Sequence, residues 1–418
     1  MSHLHVALVT ERPEVSLIPI LQLRPQRIVL VPCQASPQSA ERLAILLRHE
    51  MDGKTQVEVS PTLATLDPLR CAEYANELAD SLSREQFDEP NLSVTLDLGG
   101  CGTLTALLFQ QAMRRCSADW LYVDTQAGAL YRMACDSPDM PPEAMAIEPV
   151  LDVDRYLQAN GHKRVRARSD SPSWRDACHR RKALTHYLAQ HADRLAGLLG
   201  ELHDMVHGSD GVLSPDPRSG AQLRPGGERQ RLLATPNFPT TDALNVLDEA
   251  NLLEWSSDDP QGVVIDTLEG ALYLGGGWLT EFIWLSAQEA GLTQVCSEAH
   301  VLDLSVQHNR EPVISDCLAV EHNQLLYVEW LIARSGAKVC LEQGLKRWQE
   351  ILDHSAGLCA TRVLLACGEF DEAKQRLTEL QHHQGLQVEI VTSTELRHLP
   401  TLLAKWKEHG KWPGGRAS

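Results

Sequence analysis

The sequence predicts an α/β protein, and three observations carry that expectation. Five short apolar runs alternate with amphipathic stretches over the first 135 residues. A glycine turn, LDLGGCGT, follows the fourth run and opens an amphipathic stretch. Residues 271–418 then return to a strand-and-helix pattern around one long hairpin, DCLAVEHNQLLYVEWL.

The five runs are His5–Thr10, Arg27–Pro32, Gln56–Ser60, Leu92–Leu98 and Trp120–Thr125. Each is short, apolar and rich in β-branched residues, as strands covered on both faces are. Between them Ser36–Met51, Asp67–Ser83 and Thr103–Cys116 read as helices. Such alternation predicts a doubly wound, largely parallel sheet. Ala129–Met133, after Ala127-Gly128, reads as an antiparallel edge strand.

Residues 136–270 read as a linker and a helical connector. Asp136–Trp174 is rich in Pro, Ser, Asp and Arg, with a basic elbow at Arg164–Arg168. His179–His207 carries leucines at helical spacing, and residues 208–230 form a breaker-rich insertion. Thr240–Trp255 reads as a helix, and the stretch after it as a β wing, an order like that of a winged helix. A wing packs against protein as readily as against DNA.

In the third unit, Gly275–Gly291 is a helix entered and left through glycine. His300–Gln307 and the hairpin supply strands, Gly344–His354 a helix, and Arg362–Cys367 a buried strand. A helix from Phe370, a strand at Val388–Thr392 and a helix at Glu395–His409 complete the layer.

Composition narrows the function. The chain has 418 residues and a net charge of −18, which argues against a broad basic face for nucleic acid. Eleven cysteines without a CxxC pair suggest neither a disulfide framework nor a zinc ribbon, and suit a reducing cytoplasm. The N-terminal stretch lacks the layout of a signal peptide, and no apolar run reaches membrane-spanning length. A soluble, cytoplasmic protein without a membrane partner is expected.

Two candidate sites emerge. In open α/β sheets, ligands gather beyond the carboxyl ends of the strands. The loops after strands one and four both project there, so Thr10, Arg12, Gly99, Gly100, Gly102 and Thr103 are expected to line a crevice for phosphate. The alternative is a plain tight connection with Arg12 in solvent. The glycine turn lacks the six-residue dinucleotide fingerprint and the Lys-Thr of a Walker loop.

The second site is the hairpin. With a two-residue turn at His322-Asn323, Asp316 lies directly opposite Glu329. Opposed like charges repel, and both faces of this hairpin are apolar, so a metal or a proton is expected between them. Solvated edge charges are the competing reading.

Taken together, these parts resemble the CRISPR-associated Rossmann-fold (CARF) nucleases. HVALVTERPEVSLIPILQLRPQRIVLV is similar to the family's opening, GGGWLTEF to its helix signature, and REPVISDCLAVEHNQLLYVEW to its metal-site hairpin. LLAKWKEHG near the end also fits. The resemblance implies a CARF sensor over 1–135, a winged-helix-like connector over 136–270 and a restriction-endonuclease-like domain over 271–418. It further implies a homodimer that binds a cyclic oligoadenylate, cyclic tetra-adenylate being the expected ring. Binding would control a Mg²⁺- or Mn²⁺-dependent nuclease acting on DNA or RNA.

The family's nuclease site has an acid at the hairpin start, acid-X-lysine on the second strand and a glutamate after Trp-Leu on the helix. Carboxylates there hold the metal, and the lysine stabilises developing charge. Asp316 and Glu329 match the two acids. Leu331 stands in the lysine's place, Trp330 in that of a small residue, and Thr280 in the glutamate's, with Glu281 one position late. A one-residue step turns a side chain about 100° round a helix. A cation from Lys338, Lys346 or Arg347 could substitute, and Lys346 joins Asp316, Glu329 and Glu281 as a candidate catalytic residue; a solvated helix face is the other reading. Three functions stay open: a ligand-gated nuclease, a sensor with an inactive nuclease domain, and a winged-helix transcription regulator.

Overall fold

In the computed structural model, the described residues are 2–413 except 34–36, 52, 64–66, 126, 136–139, 217–219, 305–310, 333–336, 356, 369, 371–373, 376–377 and 380–387. The first sheet has seven strands: β1 Ser2–Val9, β2 Arg27–Pro32, β3 Gln56–Val59, β4 Leu92–Asp97, β5 Asp119–Asp124, β6 Ala129–Met133 and β7 Glu143–Ala146. Their order is β3-β2-β1-β4-β5-β6-β7. The first five are parallel, and β6 and β7 add antiparallel to the β5 edge. The order reverses between β1 and β4, the place where such sheets bind ligands.

Helices α1 Pro13–Leu23, α2 Pro37–Glu50, α3 Pro68–Asp88 and α4 Thr103–Met113 cover the two faces. Proline at the first turn of α1 and α3 suits a position whose N–H has no helical partner. Asp67 caps α3, accepting from the N–H groups of Leu69 (3.1 Å) and Arg70 (3.3 Å).

The described residues of 140–174 do not form a linker. β7 extends the N-terminal sheet past residue 135. Next, α5 Val153–Ala159 packs on α2, and β8 His162–Ala167 pairs antiparallel with β14 Gln294–Asp303 in the C-terminal sheet. Two arginines of the basic elbow are neutralised there, while Arg166 between them is exposed. Arg164 donates to Asp154 (2.7 Å) and Asp170 (2.9 Å), and Arg168 to Glu298 (2.7 Å).

The connector comprises α6 Pro172–Gln190, α7 Ala196–His207, α8 Thr240–Glu249, the hairpin β9 Leu213–Asp216 with β10 Gly220–Leu223, and a three-stranded wing. The wing strands are β11 Arg229–Arg231, β12 Glu254–Trp255 and β13 Gly262–Val264. Leu188, Leu195, Leu198 and Leu202 are buried, as their spacing predicts. Their core continues without a break into the C-terminal unit.

The C-terminal sheet runs β18-β17-β16-β15-β14-β8, with β15 Val313–Glu321, β16 Gln324–Ile332, β17 Ala360–Cys367 and β18 Glu389–Thr392. Helices α9 Leu268–Leu272, α10 Trp278–Glu289, α11 Ala337–His354 and α12 Leu399–His409 pack round it. The helix expected from Phe370 lies largely outside the described residues, as do His382 and His383. Alternate residues of β15 and β16 divide between two cores. Cys317, Ala319, Leu326 and Val328 join α7, α10 and α12, whereas Leu318, Val320, Leu325 and Tyr327 join α11 and the helices of the N-terminal sheet.

Candidate functional site

At the end of β4 the fully buried Asp97 accepts the Gly99 N–H at 2.8 Å. Burial, partly offset by that bond, pushes its carboxyl up to about 7. A side chain at Gly99 would place Cβ 2.9 Å from both Asp97 Oδ1 and Val15 Cγ1, so this glycine serves packing. Gly100 has φ +78°, a left-handed conformation that favours glycine, and its Cβ would meet Thr10 Oγ1 at 3.1 Å. Thr10 Oγ1 also accepts the Arg12 N–H at 3.3 Å, which holds the first loop in its own turn.

Between these loops lies a cavity of about 600 Å³, within the range of roughly 300–1,000 Å³ usual for small-ligand sites. Of the residues expected at this crevice, Thr10, Arg12, Gly100, Gly102 and Thr103 line the cavity, whereas the buried Gly99 does not. Thr105, whose hydroxyl the sequence offers as a donor beside that of Thr103, lines it too; Glu11, Cys33 and Leu104 also line it and escaped the sequence reading, although each adjoins a residue or a strand end that it had named. Arg12 Nε donates to Glu14 Oε1 at 3.1 Å. Leu104 and Leu107 stand exposed on the same face of α4 at the rim.

The hairpin register is the one that the sequence implies. Cys317 pairs with Val328 and Glu321 with Gln324, which places Asp316 opposite Glu329. His322 (φ 48°) and Asn323 (φ 61°) are both left-handed, the conformation of a two-residue type I′ turn. Asp316 Oδ2 accepts the Trp330 N–H at 2.9 Å, and the Asp316 N–H donates to Glu329 Oε1 at 3.4 Å. Both side chains are buried. Arg347 of α11 meets them: its Nη2 donates to Asp316 Oδ2 at 2.8 Å and to Glu329 Oε2, and its Nη1 to Glu350 at 3.1 Å.

Burial first, and then the Asp316 charge, raise the Glu329 carboxyl well above the ordinary range, with Arg347 opposing. Burial pulls the Arg347 guanidinium down, but Glu329 and Asp316 outweigh it and hold it raised. Burial and the Asp316 charge therefore disfavour the ionised form of Glu329, while the guanidinium of Arg347 stays charged.

Lys346 is elsewhere. One residue round α11, its side chain is 81% exposed and pairs with Glu350 at 3.8 Å. The Lys338 side chain lies outside the described residues. Leu331 packs with Ala366 and Phe370.

Glu281 does not join the pair either. Its side chain is buried against Arg181 of α6, whose Nε donates at 3.2 Å and whose Nη2 makes a second bond. Arg181 also takes Glu269, and its guanidinium lies over the Tyr273 ring at 5.2 Å. Burial raises the Glu281 carboxyl against the pull of Arg181. Thr280, in the place of the family's glutamate, accepts the Trp330 indole N–H at 3.0 Å. Trp330 lies over Gly276 of a π-turn (Tyr273–Gly277), where a Cβ would meet the ring at 2.2 Å. Among the described residues, no group of three or more His, Cys, Asp or Glu side chains is placed to hold a metal. No described helix is long and apolar enough to cross a membrane.

No protein-family model matches the chain, and no curated protein matches it in sequence. Two solved structures resemble it over nearly its whole length. One is Can2 from Sulfobacillus thermosulfidooxidans, solved in complex with cyclic tetra-adenylate. It is 16% identical, covers 97% of this chain and 97% of its own, and has a TM-score of 0.68. The other, protein VC1899 from Vibrio cholerae, is 16% identical, covers 98% and 99%, and has a TM-score of 0.73. The likeness is one of fold.

Proposed function

We propose that this protein is a cytoplasmic cyclic-oligoadenylate sensor of the CRISPR ancillary type, whose nuclease-like tail responds to the ligand without cleaving nucleic acid. The observation that carries this reading is Arg347, seated on Asp316 and Glu329. In a working site of this family those acids face a divalent cation; here the chain supplies the counter-charge. Leu331 in the apolar layer and Thr280 bonded to Trp330 agree with it. As arranged, these residues do not fit Mg²⁺ or Mn²⁺.

The sensor half rests on the cavity between the Thr10–Arg12 and Gly100–Thr103 loops. Backbone N–H groups at the start of α4, three threonines and one arginine suit phosphodiesters even in a chain of net charge −18. The likeness to Can2, whose structure holds cyclic tetra-adenylate, supports that choice of ligand. A cyclic ligand repeats its chemistry around a symmetry axis, so two copies of the cavity suit it. The exposed Leu104 and Leu107 at the rim are consistent with a homodimer closing there.

The facing carboxylates favour a second reading, a metal-dependent nuclease for DNA or RNA in which Arg347 is the migrated cation. Incubation with cyclic tetra-adenylate, Mn²⁺ or Mg²⁺, and plasmid or single-stranded nucleic acid separates the two. The sensor reading expects tight ligand binding and intact nucleic acid. Ligand-dependent cleavage that Asp316→Ala abolishes would establish the nuclease instead. Specific duplex binding without the ligand would favour a winged-helix regulator.

A further inference from the structure

Glu14 sits in the first turn of α1, two residues beyond Arg12. Its side chain is 3% exposed, whereas that of Arg12 is 50% exposed on the cavity wall. A carboxylate buried so fully needs a partner, and Arg12 Nε provides one at 3.1 Å. A contact through Nε holds the guanidinium while leaving its Nη1–Nη2 edge outside that bond, on a residue that lines the cavity. That edge is the fork that matches two phosphate oxygens. The Arg12 N–H on Thr10 Oγ1 holds the backbone of the same residue. Side chain and main chain of Arg12 are thus both held, the side chain by a carboxylate that does not itself line the cavity.

We propose that Glu14 is a positioning residue of the ligand cavity: it holds the Arg12 guanidinium with its two-pronged edge toward a bound phosphodiester. The proposal rests on reading the cavity as an oligoadenylate site. The groups facing Glu14 are Arg12, together with Tyr156 and Asn160 at α5; Cys359 and Arg362, at the entry to β17, lie beyond Tyr156. Burial, with Arg12 opposing, keeps the Glu14 carboxyl above the ordinary range. On acidification it therefore loses its charge earlier than a surface carboxylate does. Arg12 is then released and the phosphodiester loses its oriented fork. Affinity falls as pH falls through that raised value.

The test is equilibrium binding of cyclic tetra-adenylate to the full-length protein from about pH 5 to about pH 8, near and above the ordinary carboxylate range. Wild type is compared with Glu14→Gln and Arg12→Ala. Glu14→Gln keeps the shape of the side chain and is expected to bind about tenfold more weakly at the upper pH, the size of one charge-assisted hydrogen bond. Its remaining affinity should not share the acid-side loss seen in wild type. Equal or tighter binding by Glu14→Gln, or an unchanged pH profile, overturns the proposal. If wild type fails to bind the ring at every pH, the oligoadenylate reading fails instead. The Arg12 Nε–H resonance in ¹⁵N-arginine spectra then decides positioning alone: lost in Glu14→Gln if Glu14 holds Arg12, unchanged if it does not.

Discussion

Arg347 Nη2 lies 2.8 Å from Asp316 Oδ2, although the two residues are 31 positions apart and on different elements. The same nitrogen reaches Glu329, so one guanidinium serves two buried acids that the hairpin register sets face to face. Removing one member of a buried charge cluster leaves the others uncompensated, at a cost of about 3–5 kcal/mol. Arg347→Ala should lower stability by that order in urea unfolding. Lys346→Ala, one position away and exposed, should change it by less than about 0.5 kcal/mol.

Glu329 titrates with the opposite sign to a surface carboxylate. Its folded carboxyl is raised, by burial first and by Asp316 second. The stability that it contributes is therefore complete below the ordinary carboxylate pKa and is lost as pH rises through the raised value. Glu329→Gln removes that loss. The unfolding free energy of the variant minus that of wild type should rise between about pH 5 and pH 8; a falling difference contradicts the assignment.

Trp330 and Gly276 form a coupled pair. A methyl at Gly276 would lie 2.2 Å from the indole ring, on a backbone with φ +127°. Gly276→Ala should therefore destabilise through both the clash and the backbone. In a Trp330→Ala background the clash is gone, and the same change should cost about 1–3 kcal/mol less. A double-mutant cycle by thermal or urea unfolding measures the difference.

Much of this was legible because local rules agree there. The β1–β6 strands follow from short apolar runs, and the Asp316–Glu329 opposition from a turn whose residues both tolerate positive φ. The choice of Arg347 over Lys346 was not legible. It depends on which face of α11 meets the sheet, and that is set by buried Trp348 and Ile351 against a core shared with the N-terminal unit. Glu281 was misplaced for a related reason, since its partner Arg181 lies 100 residues earlier. β8 was hidden because an edge strand with one solvent face holds arginines readily, once Asp154, Asp170 and Glu298 meet them.

The turn of the hairpin joins the N-terminal unit. Asn323 Oδ1 accepts the Leu151 N–H at 2.8 Å, Asn323 Nδ2 donates to the Glu148 carbonyl at 2.7 Å, and Gln324 Nε2 to the Thr125 carbonyl at 3.0 Å. Asn323→Gly keeps the left-handed backbone while removing both side-chain bonds. It should cost about 1–3 kcal/mol and speed hydrogen exchange at the Leu151 amide.

The central claim is that a guanidinium stands where a divalent cation would. A Mn²⁺ titration of the full-length protein followed by electron paramagnetic resonance, with and without cyclic tetra-adenylate, tests it most directly. The account predicts that wild type and Asp316→Ala take up Mn²⁺ indistinguishably, so that no bound ion belongs to the Asp316–Glu329 pair. A Mn²⁺ bound by wild type, in either condition, and lost in Asp316→Ala would contradict it.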